Sequence, residues 1–264
     1  MAVKLGLFDS GLGGLTVVRE VRRQLPEASV EFFGDNGRNP YGPLPKETIV
    51  RFSREILDFL GGKGIDLAII ACNTATAAAL DEVKSFYPFP VIGVIEPGAK
   101  AALAASKNKK IGVIGTQFTI ESGAYARILK ALDPEVEVYG QACPSFTTLV
   151  EQGQQESEAA DTAAREYLSN FRGTGIDTLV LGCTHYPVLL NVIRRHVEAG
   201  VTIVDPAVET VATAKDLLGT KVSGDKATPS YRFYTSGDPE LFARLGANIL
   251  GMALDSVEKV VFPS

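Results

Sequence analysis

Two stretches decide the fold: Ile65-Asp66-Leu67-Ala68-Ile69-Ile70-Ala71-Cys72-Asn73-Thr74 and Ile176-Asp177-Thr178-Leu179-Val180-Leu181-Gly182-Cys183-Thr184-His185. Each opens on Ile-Asp, runs through four mostly aliphatic residues, and reaches a small residue, a cysteine and a polar loop. A continuous aliphatic run of this length reads as a parallel strand buried on both faces. The cysteine then sits at the carboxyl end of its strand, where open α/β sheets bind ligands. Two matched strands ending in thiols predict one site with a sulfur on each side.

Around these strands the chain repeats itself. Lys4-Leu5-Gly6-Leu7-Phe8-Asp9-Ser10 aligns with Lys110-Ile111-Gly112-Val113-Ile114-Gly115-Thr116, and Val30-Glu31-Phe32-Phe33-Gly34 with Val136-Glu137-Val138-Tyr139-Gly140. Val94-Ile95-Glu96-Pro97 aligns with Ile203-Val204-Asp205-Pro206. Partners stay between 106 and 111 residues apart and in the same order. Changes in loop length produce such drift, so the chain reads as two related α/β halves. Strands are expected at 4–9, 29–34, 66–71, 91–95, 110–114, 135–139, 177–182 and 201–204, with amphipathic helices between them, among them 46–60 (entered through Pro45) and 155–171. Strand-helix alternation implies mainly parallel sheets with right-handed crossovers. After Pro206 a helix is expected over 207–218, then a polar loop, a strand at 231–235 and a helix at 238–250. This tail has no counterpart in the first half and is expected to pack back on it. The expected fold class is therefore α/β, with two pseudo-symmetric three-layer domains, 1–97 plus about 208–264 and about 98–207, and the active site between them.

Composition narrows the function classes. The 264 residues can bury a large core, and 45% apolar content excludes disorder. A net charge of −5 offers no electrostatic reason to expect nucleic acid or an anionic membrane as partner. No apolar run approaches the ~18 residues of a membrane span, and Asp9 comes too early for a signal peptide. Three sparse cysteines, 72, 143 and 183, suit reduced thiols in a cytoplasm.

Gly11-Leu12-Gly13-Gly14 lacks dinucleotide-loop spacing, and no Gly-Lys-Ser/Thr follows. It reads as a tight strand-to-helix turn whose backbone N–H groups can hold a carboxylate, with Asp9 and Ser10 at the mouth of the site. Cys143 keeps the default reading of a small core residue, and His196 that of an exposed helix residue. Cys72 and Cys183 differ because their contexts repeat and both precede polar side chains, Asn73 and Thr74 after the first and Thr184 after the second. His185, two positions past Cys183, is near enough to polarise or deprotonate a group in the site. Metal binding would draw on Cys72, Cys183, His185 and Asp9, but zinc-ligand spacing is missing, so no metal is expected. A disulfide redox pair conflicts with thiols facing each other across a ligand. Acid–base chemistry remains. One thiolate removes a proton from carbon, the opposite thiol supplies one to the other face, and the stereocentre inverts. Asp9 and His185 are ionisable neighbours able to assist. No phosphate cradle beside a lysine suited to a Schiff base is evident, so no cofactor is expected.

At these residues the chain resembles glutamate racemase, a family of the cofactor-independent aspartate/glutamate racemase superfamily. The likeness lies in Phe8-Asp9-Ser10-Gly11-Leu12-Gly13-Gly14, Pro40-Tyr41-Gly42, Ala71-Cys72-Asn73-Thr74-Ala75-Thr76, Gly93-Val94-Ile95-Glu96-Pro97 and Leu181-Gly182-Cys183-Thr184-His185-Tyr186-Pro187, with Gly115-Thr116 and Leu149-Val150-Glu151. It implies interconversion of L- and D-glutamate without pyridoxal phosphate, supplying D-glutamate for peptidoglycan. It further implies that Cys183 takes the α-proton of L-glutamate and Cys72 that of D-glutamate. Asp9 would assist Cys72, while His185 and Glu151 would assist the other side. Asp9, Ser10, Tyr41, Gly42, Asn73, Thr74, Thr116, Thr184 and His185 would hold the substrate. Without the resemblance, Pro40-Tyr41-Gly42 reads as a surface turn and Glu151 as a solvated carboxylate at a helix start. The chain departs from the family at Asn36-Gly37, where relatives often carry a small hydroxyl residue and alanine, and at Phe146-Thr147-Thr148, which is more polar than the usual valine-proline continuation. An aspartate racemase would share both thiols, and a non-catalytic amino-acid-binding protein is a rival of another class. Glutamate is the expected partner, with no nucleic acid and no membrane; a homodimer is left open.

Overall fold

Every strand pairing among the described residues is parallel, and the pairings form two sheets. The computed structural model describes residues 3–219 and 228–262. The polar loop expected after residue 218 lies at 220–227, outside the described residues. The first half alternates β1 (Lys4–Asp9), α1 (Leu15–Gln24), β2 (Ser29–Gly34), α2 (Lys46–Gly61), β3 (Leu67–Ile70), α3 (Asn73–Val83), β4 (Val91–Gly93) and α4 (Ile95–Ala105). The second continues with β5 (Lys110–Gly115), α5 (Gln117–Glu121), α6 (Ala124–Leu132), β6 (Glu137–Ala142), α7 (Pro144–Glu151), α8 (Glu158–Leu168), β7 (Thr178–Gly182), α9 (Leu190–His196), β8 (Thr202–Val204) and α10 (Pro206–Leu218). The tail adds β9 (Tyr231–Thr235), α11 (Pro239–Leu250) and β10 (Val257–Lys259).

The repeat is visible in the topology. Four strands of the first sheet run β2-β1-β3-β4, and the second sheet runs β6-β5-β7-β8, the same order on the equivalent strands. The tail extends the first sheet at its β2 edge, with β9 beside β2 and β10 beside β9. β10 was not expected from the sequence: Val-Glu-Lys is three residues long and mostly exposed, and its pairing with β9 is what makes it a strand.

Several boundaries move for local reasons. The strand expected over 91–95 stops at Gly93, because Ile95-Glu96-Pro97 opens α4. Its counterpart β8 stops at Val204, because Asp205 caps α10 by accepting from the Ala207 N–H at 2.9 Å. The helix expected over 155–171 begins at Glu158, where the Ser157 hydroxyl accepts from the Ala160 N–H, and tightens into a 3₁₀ turn over Ser169–Phe171. Helix α10 packs on both α1 and α4. One apolar core continues from Leu5, Leu7 and Val17 of the first half to Ile114, Phe146 and Leu181 of the second.

One polar cluster is buried beside this core. Asp35, fully buried, shares the single Arg38 Nε–H between its two oxygens and also accepts from the Ser236 hydroxyl at 2.5 Å and from the Tyr41 hydroxyl. Arg38 also pairs with Glu55, and its guanidinium lies 3.8 Å from the Phe52 ring centre and 4.8 Å from that of Phe262. The cluster ties the 35–44 loop to the tail. Arg38→Met would leave the Asp35 carboxylate buried without its cation, a change that costs about 3 kcal/mol or more in comparable sites. Urea unfolding should show a loss of that size, and a loss below about 1 kcal/mol would mean that the pair behaves as a solvated one.

Candidate active site

The carboxyl ends of both sheets converge on one cavity of about 410 Å³, a size usual for small-molecule sites. Ser10, Tyr41, Gly42, Cys72, Asn73, Thr74, Thr116, Cys183, Thr184 and His185 line it, as do Asn39, Gln117, Thr147 and Thr148. Both thiols are buried, unbridged and open to the same cavity, whereas Cys143 lies behind it in the core.

Cys72 ends the strand segment after β3 and caps α3, its Sγ accepting from the Ala75 N–H at 3.4 Å. The thiol donates to the Ser10 hydroxyl at 3.5 Å. Burial, followed by the charge of Asp9, pushes the Cys72 thiol up to about 12 against the weaker opposing pull of Ser10 and the Ala75 amide. Cys72 is therefore a thiol at neutral pH. Cys183 occupies the equivalent place after β7, with different neighbours. His185 Nδ1 stands 3.6 Å from its Sγ, and the Thr147 hydroxyl 3.8 Å from it. His185 Nε2 meets Glu151 Oε1 at 2.7 Å. Burial alone would pull the imidazole down; hydrogen bonds to Cys183 and Glu151, with their charges, outweigh it and hold His185 well above its ordinary value. Glu151 moves the other way: burial would raise it, but His185 and the Leu12 N–H bring it below the usual range. At neutral pH the pair is an imidazolium and a carboxylate.

The glycine turn does more than turn the chain. The N–H of Leu12 donates to Glu151 at 3.1 Å and that of Gly11 to Asp9 at 3.0 Å, so the carboxylates these amides hold are the protein's own. A Cβ on Gly13 would sit 2.5 Å from His185 Nδ1 and 2.6 Å from the Thr184 hydroxyl, and one on Gly11 would sit 2.4 Å from Glu151. A side chain at Gly13 would have to displace Thr184 and His185, and one at Gly11 the end of Glu151.

Four expectations are corrected. Asp9 is not at the mouth: it is buried beneath Ser10, accepts the Thr184 hydroxyl at 3.2 Å, and is raised by burial against the opposing charge of His185. Glu151 closes α7 rather than opening a helix, and its carboxylate reaches His185 from behind the cavity wall. Tyr41 is no surface residue, since its ring lines the cavity and its hydroxyl turns away to Asp35. His196 is half-buried and pairs with Asp161 at 3.0 Å. The polar wall is completed by a hydroxyl cluster of Thr74, Thr116 and Thr119, and by Asn73, whose side-chain carbonyl takes the Tyr125 hydroxyl at 2.8 Å while its buried NH₂ has no partner among the described residues. Thr119 and Tyr125 escaped the sequence reading, because no repeat or spacing marks them, and Thr147 stands out in the sequence only as a polar departure from the family pattern.

The chain matches the Asp/Glu/Hydantoin racemase family model over residues 15–214. The glutamate racemase of Geobacter metallireducens is 44% identical over 258 residues, 97% of this chain and 96% of its own. The structure of glutamate racemase isoform RacE1 from Bacillus anthracis superposes with a TM-score of 0.94 at 40% identity, covering 99% of this chain and 98% of that one. The Francisella tularensis glutamate racemase, solved in complex with D-glutamate, gives 0.91 at 35% identity, with 98% of both chains covered.

Two outcomes follow from the geometry. Gly13→Ala overpacks the contact with Thr184 and His185 and should cost about 1–3 kcal/mol in urea unfolding; wild-type stability would mean the two loops have room to part. The imidazolium contributes stability that is full below about pH 6.5, the ordinary histidine value, and is lost as pH rises through the elevated folded value. Glu151→Gln should lower the His185 titration followed by imidazole NMR. An unmoved titration would show that Glu151 does not hold that proton.

Proposed function

Because the chain belongs to the Asp/Glu/Hydantoin racemase family, we propose that it is a glutamate racemase working through two thiols. The observation that carries this is the shared cavity: Cys72 and Cys183 end equivalent strands of two equivalent sheets and line one space. For L-glutamate, the Cys183 thiolate takes the α-proton, breaking C–H and forming S–H. Cys72 then gives its proton to the opposite face, and D-glutamate results. The reverse direction exchanges the roles.

The neighbours fit that assignment. A protonated Cys72 is the acid that L-glutamate needs, and the His185 imidazolium supplies positive charge beside a Cys183 thiolate. Glu151 acts through His185, as a positioning residue. Asp9 stands on the Cys72 side and is tied to Thr184. The unpartnered Asn73 NH₂, the threonine hydroxyls and the N-terminal end of α3 offer donors for the substrate carboxylates. The peptidoglycan precursor pathway is the role we assign to the D-glutamate formed. Two free catalytic thiols call for a reducing compartment, so we place the enzyme in the cytoplasm; among the described residues no helix is long and apolar enough to cross a membrane.

In D₂O the product enantiomer should carry deuterium at Cα, because its proton comes from the opposite, solvent-equilibrated thiol. Cys72→Ala and Cys183→Ala should each abolish racemisation followed by circular dichroism, and Cys143→Ala should not. Turnover should survive EDTA and carbonyl reagents and fail after thiol alkylation. Faster turnover of aspartate than of glutamate enantiomers would reassign the substrate, and full retention of the original hydrogen would refute the two-base scheme.

A further inference from the structure

Helix α7 presents Thr147 and Glu151, four residues apart and therefore on one face. Both lead to the same atom. Glu151 holds His185, whose Nδ1 is 3.6 Å from Cys183 Sγ, and the Thr147 hydroxyl approaches that sulfur directly at 3.8 Å. Across the cavity, the only side-chain hydroxyl among the described residues bonded to Cys72 is that of Ser10, which accepts from the thiol. A hydroxyl can accept from a thiol or donate to a thiolate, and with His185 Nδ1 at 3.6 Å and the Thr147 hydroxyl at 3.8 Å a Cys183 thiolate formed in the reaction has two polar neighbours within reach of its sulfur.

Building on the two-thiol reading, we propose that Thr147 is a hydrogen-bond donor to the reacting sulfur of Cys183, stabilising it as thiolate and so favouring the enzyme form that accepts L-glutamate. The proton transfers remain those already described; Thr147 keeps its own proton and lends it as a hydrogen bond. The complex with L-glutamate carries its negative sulfur at Cys183, and the complex with D-glutamate carries it at Cys72. A donor to Cys183 alone therefore stabilises one complex and not the other. The enantiomers have equal free energy in water, so kcat/KM must stay equal in the two directions. The effect has to show in the ratio of the two KM values, matched by the ratio of the two kcat values.

Thr147→Val keeps the shape and removes the hydroxyl. It should raise the KM for L-glutamate relative to that for D-glutamate, by about tenfold or more for loss of one hydrogen bond to a charged group. Iodoacetamide labelling at neutral pH, resolved by mass spectrometry, should slow at Cys183 and not at Cys72. Thr147→Ser should restore both readouts, and Thr147→Ala, which adds no bulk to the cavity wall, should reproduce the valine result. A purely structural contact would move both KM values together. An unchanged KM ratio with wild-type labelling of Cys183 would overturn the proposal. The parent reading is tested separately: a racemising Cys183→Ala enzyme would sink the two-thiol mechanism, whereas a silent Thr147→Val in an enzyme that Cys183→Ala inactivates rejects Thr147 alone.

Discussion

The site depends on how closely two loops can approach. The Gly11-Leu12-Gly13-Gly14 turn of one half lies against Thr184, His185 and Glu151 of the other, with no room for a Cβ at Gly11 or Gly13. That closeness brings the Leu12 amide to Glu151, the Thr184 hydroxyl to Asp9 and the Thr16 hydroxyl to the Thr184 carbonyl at 3.3 Å. Each bond joins residues of different halves. The cavity is thus bounded by contacts that fix the distance between the sheets' carboxyl ends, and a substrate held there meets groups from both.

Burial makes those contacts costly to leave incomplete. Asp9 and His185 are nearly inaccessible, and Glu151 is mostly covered. Asp9 and Glu151 are held by partners from across the junction, Thr184 and the Leu12 amide, and His185 is held within its own half by Glu151 and Cys183. His185 keeps its proton because Glu151 and Cys183 flank it, and Glu151 stays ionised because His185 and the Leu12 amide flank it. The same low-dielectric setting that raises the Cys72 thiol strengthens every remaining interaction around Cys183.

The strands and both thiols were legible because they rest on local signals. Four-residue aliphatic runs identify β3 and β7, and the small residue and cysteine that follow place the sulfurs. The order β2-β1-β3-β4 repeated in β6-β5-β7-β8 is the three-dimensional form of the sequence repeat. What escaped rests on distance along the chain. Leu12 and Glu151 are 139 residues apart, and Ser236 and Asp35 are 201 apart. No periodicity marks such pairs. Glu151 reads as solvated because the partners that cover it, Leu12 and Asn36 of the first half and His185, are far off in the sequence, and Tyr41 because its Pro-Tyr-Gly setting has the composition of an exposed turn. Thr147 is marked only as a polar departure from the family pattern: its place beside Cys183 comes from its spacing to Glu151 on α7 and from where that helix docks.

Duplication supplied two sulfurs in equivalent places, yet their surroundings are unlike. Cys72 sits at a helix N-terminus with Ser10 and the negative Asp9, and Cys183 sits with an imidazole and a threonine. A reaction whose substrate and product are mirror images imposes no symmetry on the protein, only equality of overall free energy between the two ends. The protein can therefore surround its two sulfurs with different groups without biasing the equilibrium. A thiol pushed up by burial and Asp9 on one side, and a sulfur beside an imidazole and a hydroxyl on the other, give the two faces of the cavity different chemistry. A symmetric site would leave two buried sulfurs competing for the same proton, with no neighbour to decide between them.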